Sequence, residues 1–255
     1  MTTPGRRAAY PSAPANQDPD ADWSAYHEPE GSGVHGGGCH VKSEERKAKD
    51  LAVYYGMVSC LDHHVGRILD QLEALGLAED TVVVFTTDHG HFVGQHGLTA
   101  KCLHHYEDLV KIPFIVSWPG EVPAGRRSAA LQTLTDLAPT LLDCCGLAAP
   151  RSMTGSSQRA VWAGEDGAAP TAVVVENHHQ PTTFHAKTLV TDRYKLTCYG
   201  MADYGELFDL QEDPGEFANR WDDPACADIK SRLLLQLVQT TMHQEPMWMP
   251  RIAGA

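Results

Sequence analysis

The feature that most constrains the fold is a short run of β-branched and aromatic residues, TVVVFT, at positions 81–86. The run has no polar alternation, a pattern typical of a strand buried on both faces of a parallel sheet. It ends abruptly at Asp88 and His89, followed by Gly90. Because open α/β sheets bind ligands at the edge where strands end, the Asp88-His89 pair is a site candidate by position as well as by residue type.

The chemistry of this pair suits a cation. A carboxylate and an imidazole can both ligate a divalent ion, and Lys101, thirteen residues after Asp88, could return an ammonium group to the same place for an anionic substrate. The plain alternative is an ordinary loop, because Asp-His pairs are common in loops and the chain has 14 histidines. Residue types and spacing leave both interpretations open.

Length and charge narrow the class of protein. A chain of 255 residues can bury a sizeable core. Its formal net charge of -13, with no cluster of Lys or Arg, predicts neither a nucleic-acid partner nor a membrane surface. Seven cysteines without a C-x-x-C pair do not indicate a disulfide framework. The first residues lack the apolar run of a secretory signal, so a cytoplasmic location is predicted.

Periodicity predicts further elements around the strand. Apolar positions recur every three or four residues over 43–75, which indicates a helix with one face on a sheet, ended by Gly76. Residues 111–118 have the composition of a second buried strand. Thr135 is expected to cap a helix over 136–145. The alternation of helices and strands predicts an α/β layered sheet.

The two ends of the chain differ from this middle part in amino-acid composition and in apolar periodicity. Residues 1–42 are rich in Pro, Gly, Ala and Asp without apolar periodicity, and we expect them to be extended or disordered. We therefore divide the chain into that segment, an α/β part at 43–150 and a C-terminal subdomain at 151–255. The subdomain is predicted to contain short strands and a final helix, at 171–176, 187–191, 194–198 and 224–243.

Linked motifs in a fixed order give the sequence a family resemblance. Several pieces in one order are far more specific than any one of them, and together they resemble the sulfatase family of the alkaline phosphatase-like superfamily. The matching pieces are TTDHG (86–90), GQHG (94–97), Lys101, YE (106–107), IPFIV (112–116), WPG (118–120), ELFDL (206–210) and DPGEFAN (213–219).

The resemblance implies a fold and an activity. The fold would be α/β, with a mixed, largely parallel sheet flanked by helices and a small C-terminal α+β subdomain. The activity would be hydrolysis of sulfate esters in a small anionic substrate, with one divalent metal ion, calcium by family or alternatively manganese. By the same resemblance, Asp88 and His89 match two ligands of that metal, and Lys101 matches the lysine that contacts the sulfate oxygens. His96 matches a recurrent family histidine with a structural or supporting role.

One part of the family pattern is missing. The resemblance covers residues 43–245, which correspond to the second half of a sulfatase. Family members carry in their first half a paired Asp and a C-x-P-S-R or C-x-A-x-R motif whose cysteine becomes formylglycine, and this sequence contains neither in a matching context. Covalent ester cleavage needs an activated nucleophile, and calcium prefers six to eight oxygen ligands. We therefore expect the chain to be inactive alone, with the missing half or a partner chain supplying the rest.

Two alternatives to a sulfatase remain open on sequence. The chain could be a non-catalytic remnant that binds a metal or an anion as a scaffold. It could also belong to a phosphonate or phosphodiester hydrolase, since Lys101 would attract any tetrahedral anion. His104 or His105 could serve as a general acid beside Lys101. Two further polar clusters have ordinary explanations as a helix face and a glycine-rich loop, namely Asp62, His63 and His64, and His35, Cys39 and His40.

Overall fold

The computed structural model describes residues 43–101, 103–179, 184–200 and 202–245. The segment 1–42 lies outside the described residues, and so does the cluster of two histidines and a cysteine within it. Helices and strands alternate in the first part of the chain, as the sequence predicts. They are α1 Glu44–Ala74, β1 Val83–Thr86, β2 Phe92–Val93, β3 Thr99–Ala100, α2 Glu107–Val110, β4 Phe114–Ser117, α3 Leu137–Cys144 and α4 Arg159–Ala163.

The strand that ends at the candidate site pairs with β4. The two strands are antiparallel, with Val83 opposite Ser117 and Thr86 opposite Phe114. The alternation of helices and strands confirms the α/β class. Every strand pair among the described residues is antiparallel, so the expected excess of parallel pairs is not found in this part of the chain. All four residues of β1 are only half-buried. An apolar run reports a tendency to be buried and carries no information on strand direction.

Helix α1 carries the predicted apolar stripe, but the described residues leave much of it uncovered. Leu51 and Tyr54 are half-buried, whereas Val58 and Leu61 are exposed and Ile68 keeps 68% of its surface accessible. The prediction that this face packs on a sheet is therefore wrong for the described part of the chain. Exposed apolar area of this extent on one helix face is a feature of surfaces that bind another protein element.

The start of α3 differs from the prediction by two residues. Thr133, rather than Thr135, begins the helical region: its N–H donates to Asp136 Oδ2 at 2.8 Å, and a single 3-10 turn over 134–136 precedes α3. The Asp136 carboxylate also accepts from the backbone N–H of Ser156 at 2.8 Å, so a contact twenty residues away decides where the helix begins. Gly146, with φ of 71°, ends it as predicted.

The C-terminal part is one four-stranded antiparallel sheet covered by a helix. The strands are joined in the order β5-β6-β7-β8. The predicted strands are present with longer bounds, and the ELFDL motif forms a fourth strand that the sequence analysis did not assign. The elements are β5 Ala172–His179, β6 Phe184–Thr191, β7 Tyr194–Tyr199, β8 Gly205–Asp209 and α5 Ala227–His243.

The two faces of this sheet have different chemistry. One face is apolar and packs on α5, whereas Val238 on that helix is exposed. The core residues of that face and helix are Ala172, Leu189, Leu196, Leu207, Leu233 and Leu237. The other face is polar and buried: Thr188 Oγ1 lies 2.8 Å from Thr197 Oγ1 and 2.8 Å from Nδ1 of His105. Burial, with a smaller contribution from Lys195, lowers the pKa of His105 to about 4.

Residues beyond 150 also contact the first part of the chain. Trp162 in α4 lies 6.0 Å from the ring of Phe114 and donates a hydrogen bond of 2.9 Å to Gln132. The division at residue 150 stays a prediction. Across the described ranges, every helix is too short or too polar to pass through a bilayer.

The packing of α5 gives a direct stability test. Leu233 is 4% exposed within the sheet-helix core, whereas Leu235 on the same helix is 58% exposed. We expect Leu233→Ala to lower the free energy of unfolding by about 2–5 kcal/mol, because it removes buried methyl groups and leaves a cavity. Leu235→Ala should change it by less than about 0.5 kcal/mol. Urea titration of both variants checks this, and equal losses would contradict the assigned packing.

The buried imidazole of His105 predicts a pH dependence. Its pKa of about 4 in the folded chain lies below the ordinary 6.5, so the unfolded chain binds one more proton between these values. The stability that the neutral ring contributes is complete above pH 6.5 and is lost as the pH falls to 4. Near pH 5 the free energy of unfolding of the unmodified chain should fall about 1.4 kcal/mol per pH unit more steeply than that of His105→Gln.

The control for this pH series is His63→Gln, because His63 is exposed on α1. Its free energy of unfolding should follow that of the unmodified chain from pH 7 to pH 4.5. Identical slopes for all three proteins would show that His105 is not held in its neutral form.

Candidate functional site

The Asp88-His89 pair lies where β1 leaves its ladder. Asp88 Oδ2 is 3.4 Å from Nε2 of His89, while Oδ1 accepts hydrogen bonds from the His89 backbone N–H at 3.0 Å and the Thr87 hydroxyl at 3.2 Å. These hydrogen bonds, that from His89 first, lower the pKa of Asp88. The side chain is 80% exposed, so the ionised carboxylate is open to solvent.

The tautomer of His89 follows from its second nitrogen. Nδ1 lies 2.7 Å from the carbonyl oxygen of Gly90. Because a carbonyl only accepts, Nδ1 carries a proton, and the neutral ring then presents its lone pair at Nε2. An imidazole lone pair and a carboxylate oxygen 3.4 Å apart are two acceptors facing one place. This arrangement suits a proton or a metal cation between them.

Gly90 fixes this loop against α2. Its N–H donates to the Leu109 carbonyl at 2.7 Å. A Cβ atom at this position would lie 1.9 Å from the Asp108 carbonyl oxygen, so only glycine permits the approach. The loop that carries the Asp88-His89 pair therefore rests directly on the backbone of a four-residue helix.

A hairpin returns the chain from the pair to Lys101. Strands β2 and β3 pair with Phe92 opposite Ala100, which places the Lys101 backbone beside that of His91, two residues after His89. Phe92 is fully buried and anchors the hairpin in a core cluster, whereas Lys101 is exposed. The backbone thus brings Lys101 back towards the pair. Contact of its ammonium group with a substrate stays a prediction.

His96 lies beneath the hairpin. Its backbone has φ of 53°, and its ring stacks on Tyr106 with centroids 3.9 Å apart. Nε2 lies 4.0 Å from Asp108 Oδ2. Burial lowers the pKa of His96 to about 4, so the ring is neutral at pH 7. These contacts agree with the structural role expected from the resemblance.

The remaining candidate histidines have different surroundings. His105 is enclosed and lies within hydrogen-bonding distance of Thr188, and burial lowers its pKa to about 4, so its ring is not an imidazolium at neutral pH, which argues against a general-acid role for this residue. The ring of His104 is 5.8 Å from that of Tyr106, and its role stays open. Asp62, His63 and His64 lie exposed along α1, as the helix-face explanation predicts.

The sequence analysis missed a buried ionic cluster behind α2. Lys195 Nζ contacts Glu107 Oε1 at 2.7 Å and Glu216 Oε1 at 2.8 Å. Burial raises the pKa of Glu216, and the ammonium of Lys195 opposes that rise. Two of the three residues lie inside matched motifs, YE and DPGEFAN. These motifs were the available signal for the two glutamates. Lys195 offered none, because a lysine on a strand with polar neighbours is normally predicted to be exposed.

The fit to a metal is partial. The pair offers one carboxylate and one imidazole, and no group of three or more His, Cys, Asp or Glu side chains in the described ranges is arranged to hold an ion. Calcium takes about six to eight oxygen ligands. The two residues of the pair are suitable ligand types, but by themselves they are too few to form a calcium site.

Two family models match the chain. The model described as sulfatase matches residues 6–147, and the model described as N-sulphoglucosamine sulphohydrolase, C-terminal, matches residues 94–243. The first match begins at residue 6, well before the start of the resemblance recognised from motifs.

Known relatives agree with these matches. The chain is 32% identical over 199 residues to an N-acetylglucosamine-6-O-sulfatase of Bacteroides thetaiotaomicron, a match that covers 75% of this chain and 35% of the relative. The chain thus spans about a third of that relative's length.

Solved structures extend the comparison to the fold. One protein in complex with its substrate D-glucosamine-2-N,6-O-disulfate matches 74% of this chain and 40% of its own, with a TM-score of 0.69 and 29% identity. A phosphonate monoester hydrolase from Silicibacter pomeroyi matches 81% of this chain and 44% of its own, with a TM-score of 0.73 and 28% identity. The expected alkaline phosphatase-like fold is confirmed, and the chain belongs to the sulfatase family.

Proposed function

We propose that this chain is the carboxyl-terminal part of a metal-dependent hydrolase that cleaves sulfate esters of small anionic substrates. The observation that carries the proposal is geometric: at the end of β1, an oxygen of Asp88 and the Nε2 atom of His89 face one place at 3.4 Å. The sulfatase name of the relative and the sulfated amino sugar bound by a structural neighbour support a sulfate ester as substrate.

The ion in this proposal is a single divalent metal. Asp88 and His89 would hold it, and Lys101 would contact the sulfate oxygens. When bound, the metal supplies positive charge that offsets the charge on the transferring group. Calcium is the ion that the family resemblance favours. A mixed oxygen and nitrogen pair also suits manganese.

The chain requires a second segment to complete this site. Two ligands are too few for tight binding of either ion. The exposed stripe of α1, with Ile68 at its centre, supplies an apolar face on which that segment can pack. The missing nucleophile would come from the same segment. It corresponds to the amino-terminal half of a sulfatase, whether in a longer polypeptide or in a partner chain.

A second candidate function is suggested by one comparison. The phosphonate monoester hydrolase neighbour has a TM-score of 0.73, close to the 0.74 of a 2-O glycosaminoglycan sulfatase, so likeness of fold does not separate the two activities. Phosphonate and sulfate groups are both tetrahedral oxyanions, which a single lysine attracts equally. The same two ligands could therefore belong to a phosphonate hydrolase. The third hypothesis is that the chain is a non-catalytic scaffold that binds a metal or an anion. It predicts binding without turnover.

Metal binding to the chain by itself tests the pair directly. We expect Mn²⁺ to broaden the NMR signals of His89 at millimolar concentration, before those of His63 and His64, because only His89 has a carboxylate within 3.4 Å. Asp88→Asn should remove the selective broadening. Asp80→Asn, a change at an exposed residue in the 3-10 turn before β1, is the matched control. Equal broadening of all three histidines would show that the pair does not bind the metal.

Activity tests the missing segment. The chain alone should leave 4-nitrophenyl sulfate intact with calcium or manganese, since it has no nucleophile motif. Adding the amino-terminal half of a related sulfatase should produce turnover, and Asp88→Asn should lower kcat at least about 100-fold. Turnover by the chain alone that disappears with Asp88→Asn would refute incompleteness, and a higher kcat/KM for a phosphonate ester would favour the second function.

Paired variants on α1 identify the contact face. Ile68→Asp should weaken complementation, because it places a charge in the exposed stripe. Ser59→Asp, on the opposite side of the helix, should leave it unchanged. If both variants complement equally, the second segment packs elsewhere.

A further inference from the structure

Two of the three groups in the ionic cluster behind α2 are almost fully enclosed, and the third, Glu107, is 23% exposed. The side chains of Lys195 and Glu216 are each 1% exposed. Besides its two carboxylate partners, Lys195 Nζ donates to the His105 carbonyl oxygen at 3.1 Å. An ammonium group in this environment is stable only while its partners remain in place, so the cluster defines where those partners lie.

Both carboxylates of the cluster are linked to Glu107, the first residue of α2. One is the side chain of Glu107 itself. The other is Glu216, whose Oε2 accepts the Glu107 backbone N–H at 2.6 Å. Glu216 reaches this position from a backbone with φ of 56°, the left-handed region that non-glycine residues rarely occupy. The Glu216 carboxylate therefore reaches the start of α2 from a strained backbone conformation.

The far end of the same helix holds the site loop. The Leu109 carbonyl accepts from the Gly90 N–H at 2.7 Å, and the Gly90 carbonyl in turn accepts from Nδ1 of His89 at 2.7 Å. Since α2 has only four residues, its two ends cannot move independently. An ion pair at Glu107, the backbone of α2 and two hydrogen bonds at Gly90 thus join Lys195 to the imidazole of His89.

We propose that Lys195 and Glu216 are positioning residues, which set the orientation of the Asp88-His89 pair through α2. They touch neither metal nor substrate in this proposal. The naming of the pair as metal ligands rests on the proposed function, whereas the mechanical link to Gly90 does not.

An ion pair at the start of β7, the strand that contains Lys195, offers a matched control. Arg193, the residue before this strand, forms an ion pair with Asp209 at 2.7 Å, but its side chain is 40% exposed. If Lys195 served only to stabilise the C-terminal sheet, removing either ion pair would affect the same reporters. If Lys195 positions the site loop, only its removal will affect Gly90 selectively.

The experiment measures amide hydrogen exchange in the full chain by NMR. The reporter is the Gly90 amide, and the references are the amides of Leu189 and Leu196 in the central strands. In Lys195→Met, the exchange rate of Gly90 relative to the references should rise at least about ten-fold, because the buried carboxylate of Glu216 and the half-buried carboxylate of Glu107 lose their counter-ion. In Arg193→Met the ratio should stay unchanged.

A milder variant covers the case in which Lys195→Met does not fold. In Glu216→Gln the side-chain oxygen can still accept from the Glu107 N–H, but the charge next to Lys195 is lost. We expect a smaller rise of the same ratio, about three-fold or more. Equal acceleration of Gly90 and the reference amides in this variant would overturn the proposal, as would a response of Arg193→Met as large as that of Lys195→Met.

The Mn²⁺ titration separates this proposal from the proposed function. Selective broadening of His89 should require at least about three-fold more metal in Glu216→Gln than in Arg193→Met, since metal affinity follows ligand orientation. If Gly90 responds as expected while His89 binds no metal in any variant, the positioning role holds and the metal assignment fails. If His89 binds metal equally in all variants and Gly90 does not respond, the positioning role fails alone.

Discussion

A buried ammonium group lies at the contact between the two parts of this chain. Lys195 extends from the polar face of the C-terminal sheet and meets the carboxylate of Glu107 at the start of α2. Breaking such a pair leaves an enclosed, uncompensated charge, at a cost of about 3–5 kcal/mol. The sheet is therefore more than an appended subdomain. It is the base on which the loop at the end of β1 rests.

The opposite side of the first part has no comparable support within the described residues. Helix α1 leaves its apolar stripe open, and β1 is only half-buried. The candidate site therefore has the C-terminal sheet behind it and the uncovered apolar face of α1 on its other side. This asymmetry agrees with a chain that spans about a third of its relative's length.

How much the sequence predicted depended on the range of the interaction involved. The extent of α1 and the end of β1 just before Asp88-His89 follow from local patterns and glycine positions, and the structure has them as expected. The hairpin that carries the backbone back to Lys101 was not predicted. The features that were mispredicted depend on distant residues. His105 meets Thr188 across 83 positions, and no local pattern announces that its ring will be enclosed. Likewise, nothing near Lys195 in sequence shows that two glutamates will surround it.

Glu216 carries a conflict that limits how this protein can be altered. Its left-handed backbone would be relieved by glycine, which accepts φ of 56° without steric cost, but glycine has no carboxylate for Lys195 or for the Glu107 N–H. A substitution chosen only to ease torsional strain at this position would thus remove the carboxylate that pairs with Lys195 and accepts from the Glu107 N–H. Thermostability engineering in this region has to begin from the charges, with backbone geometry treated as their consequence.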